Sequence, residues 1–249
     1  MAKRTTLELV NSVLKNIGEA GTLTVLTSLT KIELLAFDKL NESIVELAGL
    51  AQWMPLEATG TALMLTGTNT YGVPTDLLSE DEDSFRLPQN GNGSRMGYCK
   101  SPADWDAAYP KGITTDRPGW PTVIMRFGTY WHINTMPLAA QNNKTINFRY
   151  WQRPVLLETA APTGTCWVPE QMDDLVLVNL ATYKVMVYKG SSEASEYYQR
   201  VFGRGQNDQG NLTRMKSLYS SSVVRLQIKM SGQFEDGGKT RGIPLHKFY

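Results

Sequence analysis

One segment limits the fold of this chain more than any other: PEQMDDLVLVNLATYKVMVYKG, residues 169–190. Pro169 suits the first position of a helix, where its missing N–H costs nothing. Glu170, Asp173 and Asp174 occupy the first turns and Lys184 and Lys189 the later ones, which matches the helix dipole. Between Leu175 and Val187 apolar residues cover most of the circumference. A helix of that kind is covered on more than one side. The rest of the chain must supply the elements that surround it.

The candidates stand at both ends of the sequence. TTLELVNSVLKNIG, residues 5–18, places Leu7, Val10, Leu14 and Ile17 on one helical face, with Thr5 or Thr6 as cap and Gly18 as stop. Residues 30–51 form a longer helix, with Phe37, Leu40, Ile44, Leu47 and Ala51 in register and a Thr30–Glu33 capping box. Ser192 opens a further helix through Ala194, Tyr197, Tyr198, Val201 and Phe202, and 209–221 continues in helix.

Between these ends the period changes from helical to alternating. Thr61–Leu65 is expected to pair with Asn69–Val73 across a Thr-Gly-Thr turn, and 122–134 with 144–154 across AAQNN. Residues 79–121 are rich in Gly, Pro, Asp, Asn and Ser and are expected to be loops, and 155–168 a linker. The resulting fold class is α+β: a helical bundle formed by N- and C-terminal helices, with an inserted β-rich domain and an extended C-terminal tail. Its parts are residues 1–54 and 169–222 for the bundle, 55–168 for the insert and 223–249 for the arm.

Within the arm, VVRLQIKM (223–230) alternates Val224, Leu226, Ile228 and Met230 with Arg225, Gln227 and Lys229. That is the period of a half-buried strand, yet no partner strand follows it. A strand left with an open edge and an apolar face is a liability in a lone chain. Its place is either back on the β-rich insert or on a sheet edge of another chain. Gly232, Gly237 and Gly238 separate it from Ile243, Leu245, Phe248 and Tyr249. These four and the four apolar strand residues form the candidate binding arm, which reaches at most roughly 90 Å at about 3.3 Å per residue.

Chemistry-bearing patterns are sparse. The chain has 249 residues, two histidines, two cysteines and a formal net charge of +1. A near-neutral chain has no global field to draw it to nucleic acid. His132 and His246 are far apart and no C-x-x-C spacing exists, so no metal and no cofactor are expected. No nucleophile elbow, P-loop or dinucleotide fingerprint is present. The acids in SEDEDS (79–84) sit together as a solvated patch rather than as two carboxyls held across a cleft. Arg149, Trp151 and Arg153 are either a stacking surface for nucleic acid or a cross-strand set, the second being favoured. The first residues carry no apolar core of a signal peptide, and no run reaches the ~20 apolar residues of a membrane span. A structural or interaction protein without enzymatic activity is the expectation.

Several stretches, taken in order, carry a resemblance. TTLELVNSVLKNIGE resembles the opening helix of the head-to-tail adaptor (connector) proteins of short-tailed bacteriophages, of the tail tubular protein A type. LAFDKLNESIVEL with Trp53 is similar to that family's second helix and its exit, and LMLTGTNTYGVPTDLL to its hairpin. INFRYWQRPVLL, VPEQMDDLVLVNLA and SEASEYYQRVF resemble the later strand, third helix and following helix. The similarity covers about 5–206, is weak over 79–121 and does not reach 207–249. It implies a ring of twelve copies in the virion, assembled in the host cytoplasm. Such a ring docks under a portal protein, extends the DNA channel and carries the tail nozzle protein. DNA passes through the lumen without sequence-specific binding. A cell-wall glycan hydrolase, suggested by the acidic clusters, and a distal nozzle or fibre component, suggested by the Trp-rich β-region, are the alternatives.

Overall fold

A computed structural model describes residues 3–19, 22–89, 92–109, 118–204 and 210–220. The chain is α+β and divides into two compact units. One contains residues up to Pro55 and from Leu157 onward, and the other is Leu56–Leu156.

The first unit is helical. Helix α1 (Thr6–Asn16) begins with a capping box in which Thr5 and Glu8 satisfy each other's backbone N–H groups. Its remaining open donors find carbonyls in 155–168: Thr6 N–H donates to Gly164 O at 2.7 Å and Leu7 N–H to Pro162 O at 3.1 Å. The expected linker is therefore also the plug of a helix N-terminus. Helix α2 (Lys31–Gly49) starts on the Thr30–Glu33 box and buries Phe37, Leu40, Ile44 and Leu47. Its end is closed by a side chain, since the fully buried Trp53 donates from Nε1 to Leu47 O at 2.5 Å.

The apolar segment after Pro169 forms one turn, α4 (Glu170–Met172), a π-helical stretch over Asp173–Val178, and α5 (Asn179–Tyr188). Helices α6 (Ala194–Phe202) and α7 (Asn211–Tyr219) follow. Helix α5 touches α1, α2 and α6, and the π-helical stretch touches α1, α2, α6 and α7. These contacts within one chain bury Val176, Leu177, Val178, Leu180, Ala181, Val185 and Met186. The all-round apolar character is thus consumed inside the subunit. Of its large apolar residues only Leu175, Val187 and Tyr188 remain exposed, toward its two ends.

The second unit holds two sheets. The first runs β1 (Glu57–Leu63), β9 (Thr145–Gln152), β4 (Arg86–Gln89), β5 (Asn92–Arg95), with β3 (Leu77–Glu80) also on β9. The second runs β2 (Thr70–Gly72), β8 (Tyr130–Ile133), β7 (Val123–Phe127), β6 (Gly97–Cys99), with β6 parallel to β7. A short helix α3 (Pro102–Ala108), capped by Ser101, buries Trp105. One aromatic core includes residues of both sheets: Trp131 meets Phe148 edge-on at 4.4 Å and Phe85 at 5.4 Å.

The structure departs from three expectations. Strands β1 and β2 do not form a hairpin, because β1 pairs with β9 over seven consecutive residues and β2 pairs with β8. The reason is size matching across the pair. Gly60 lies opposite Phe148, and a Cβ at Gly60 would stand 2.4 Å from the Phe148 ring. Second, 122–134 folds on itself as β7 and β8, paired Phe127 to Tyr130 around Gly128 at φ 59°. Third, 79–121 is not only loop. It carries β3 to β6 and α3, anchored by the fully buried Phe85, Leu87, Met96 and Trp105.

Candidate functional site

All eight residues of the candidate arm, Val224, Leu226, Ile228, Met230, Ile243, Leu245, Phe248 and Tyr249, lie outside the described residues. The structure does describe the place from which the chain enters that segment. Helix α7 ends at Tyr219, and Ser220 forms an antiparallel bridge with Trp53. Ser220 and Trp53 are both buried, and Trp53 contacts Trp167 at 5.7 Å. The root of the arm is therefore fixed to the exit of α2 and to the segment preceding α4.

Helix α7 is held in turn by the π-helical stretch. A π-helix donates five residues back, so its junction with α-helix leaves a carbonyl without a main-chain donor. Asn179 supplies the donor, with Nδ2 at 2.8 Å from Asp174 O and 3.2 Å from Leu175 O. Asn211, the first residue of α7, adds its own Nδ2 to Leu175 O at 3.3 Å and to Arg200 O at 2.9 Å. One side-chain amide thus joins the π-helical stretch, the end of α6 and the start of α7. The approach is close: a Cβ at Gly210 would stand 2.3 Å from both Gly203 N and Val201 O. Backbone atoms cannot yield as a side-chain tip would, so the position requires glycine.

At the start of the π-helical stretch Asp173 is buried, with the Cys166 thiol donating to Oδ1 at 3.8 Å. Burial pushes the Asp173 carboxyl up to about 7 and the Cys166 thiol up to about 12. An exposed aspartate loses its proton near 3.9. Between those values the fold holds a proton that the unfolded chain has released. Stability from this group is thus full at low pH, declines as pH rises through the window and is lost above about 7. Asp173→Asn keeps the site neutral at every pH. Its stability relative to the natural chain is expected to rise from about pH 5 to about pH 8, measured by urea unfolding at each pH. A constant difference would contradict the assignment.

The acidic run is paired throughout. Glu80 binds Arg126 at 3.0 Å, Asp81 binds Arg149 at 2.9 Å, Glu82 pairs with Lys100, and Asp83 with Arg95. The observed ion pairs give the run 80–83 a structural role. Arg149 also reaches Glu57 at 3.4 Å, while Trp151 is buried, so this set joins strands and offers no stacking face. His132 is buried beside Thr70, with Nδ1 to Oγ1 at 3.2 Å, and burial lowers its pKa. An open cleft of about 320 Å³ beside α1 includes Arg4, Lys15, Asp174 and Arg200 in its lining. Arg4 is paired with Asp174 and Arg200 with Glu196, so the cleft presents a solvated ionic surface. Among the described residues no group of three or more His, Cys, Asp or Glu is placed to hold a metal ion. No helix among them is long and apolar enough to cross a membrane.

With no catalytic constellation assembled at these places, comparison with known proteins decides the class. The SU10 adaptor protein family model matches residues 4–225. The chain belongs to the SU10 adaptor protein family. Membership supports a phage head-to-tail adaptor and a structural role in the virion. No curated protein matches the chain. The match spans both units, takes in the root of the arm at Trp53 and Ser220, and ends at Arg225 inside the alternating stretch. The part of this adaptor beyond Arg225 lies outside the matched region, and it carries seven of the eight candidate arm residues.

Proposed function

We propose that this adaptor is a subunit of a homo-oligomeric ring of twelve copies, of the tail tubular protein A type. The ring docks under the portal protein, extends the DNA channel and forms the platform for the tail nozzle. The family match over 4–225 carries the reading. Its physical support is the near-neutral charge and the internally paired acids, which suit a conduit that DNA passes without sequence-specific binding. Residues 1–54 and 169–222 make the ring body, 55–168 the β-rich part and 223–249 the arm that meets portal and neighbours. Assembly takes place in the host cytoplasm before the ring joins the virion.

The test is co-sedimentation with the portal protein of the same phage. The expected result is a portal-bound ring. A chain that stays monomeric and never joins the portal contradicts the reading.

A further inference from the structure

Among the described residues, the longest sheet edge in the second unit is open. Strand β1 pairs with β9 from Glu57 to Leu63 without a register shift. On its other side, from Ala58 to Leu63, no backbone group bonds to any described residue. The other strands that end the sheet orders are shorter: β2 and β6 have three residues and β5 has four. Sheet edges are ordinarily protected by Lys, Pro, a bulge or a covering element. Residues 58–63, ATGTAL, have no such residue, and β1 has no bulge.

We propose that residues 223–230 of one copy add as a strand to the β1 edge of the neighbouring copy. This deepens the ring reading and rests on it. The match is first one of length, since Arg225–Met230, laid antiparallel with Gln227 opposite Thr61, covers the six positions Ala58–Leu63. It is also one of faces. Ala58, Gly60 and Ala62 are half-buried, and Ala58 and Ala62 pack against the aromatic core, whereas Thr59, Thr61 and Leu63 are exposed. The inner row is small, so the core layer thins toward this edge. An added strand that turns Val224, Leu226, Ile228 and Met230 inward extends that layer. Arg225, Gln227 and Lys229 then lie beside the exposed Thr59 and Thr61. Backbone bonds supply affinity and the alternating side chains fix the register.

The direction of the chain at its root favours another copy over its own β1. Ser220 bridges Trp53 in the antiparallel sense, so at that point the chain heads toward Gln52 and Ala51. Strand β1 follows Trp53 in the opposite sense along the sequence, and only Ser221 and Ser222 precede Val223. The Gly-rich run after Met230 leaves Ile243, Leu245, Phe248 and Tyr249 for the portal. One arm then has two duties, with the strand closing the ring and the tip holding the portal.

Disulfide trapping in assembled rings tests this. Full-length Thr61→Cys and Gln227→Cys chains, both in a Cys99→Ser background, are mixed, assembled and oxidised. Cys166 is buried and stays as it is. Thr59→Cys and Leu63→Cys partners cover a register two residues either way. The expected result is a cross-linked dimer of the two different chains for one of the three pairs. Neither chain assembled alone should give that product. The double variant Thr61→Cys/Gln227→Cys should give interchain ladders. Rings that form with no cross-link in any pair overturn the strand addition and leave the adaptor reading standing. An intrachain disulfide in the double variant also overturns it, placing the strand on its own β1. Failure to form rings at all overturns both.

Discussion

Replacing Trp131 by alanine is expected to cost about 3–5 kcal/mol of stability, the range for large aromatics removed from a core. That is a large share of the roughly 5–15 kcal/mol that holds a domain together. Trp131 is 1% exposed and stands between Phe85 and Phe148, in the core that includes residues of both sheets. Loss of the indole leaves a cavity that β8, hydrogen-bonded on both sides, cannot collapse to fill. The effect is one of packing alone, because Trp131 Nε1 is buried and finds no acceptor among the described residues. Trp131→Phe gives the control. It keeps a ring in place and removes the unpaired donor, so its loss should be less than half that of alanine. Urea unfolding followed by near-UV circular dichroism reads both variants. Equal losses for the two would contradict the packing account.

Deleting 223–249 is expected to leave the fold intact and to weaken portal docking by roughly a hundredfold or more. The first half follows from what the deletion spares. Leu212, Met215 and Ser220 are buried and retained, as are the Asn179 and Asn211 bonds that seat α7. The second half follows from what it removes. Ile243, Leu245, Phe248 and Tyr249 each contribute up to about 1.5–3 kcal/mol if buried at the interface. A net loss of even ~2.8 kcal/mol is a hundredfold in affinity. Melting temperature and portal affinity, measured on the same preparation, separate the two halves. Unchanged portal binding by the truncated chain would contradict the role given to the arm.

Local signals in the sequence carried the helical unit well. The cap at Thr5 or Thr6 and the Thr30–Glu33 box place two helix starts because capping is decided within four residues. The helix at 169–190 was legible from its apolar circumference, but its π-helical stretch was not. The residue that sustains it, Asn179, reads as one polar residue in an apolar run. That same circumference is covered for the most part by α1, α2, α6 and α7 of the same chain.

Strand pairing failed for a different reason. The choice of β9 for β1 rests on Gly60 facing Phe148, residues far apart in sequence, and no local pattern records that match. The β7–β8 turn did have a signal, Gly128 within the run, and it favours the hairpin the structure contains. In 79–121 polar composition masked Phe85 and Leu87, whose alternation is only two residues deep. The adaptor family was legible because several weak motifs keep their order, which is a property of the whole chain and survives errors in any one strand.

Electron microscopy of this chain assembled with the portal protein of the same phage tests the central claim most directly. The account predicts a closed ring of adaptor density, coaxial with the portal and leaving the channel open, with density from the adaptor crossing onto the portal. Adaptor that remains monomeric beside bare portals, or that binds only the distal end of the tail, would contradict it.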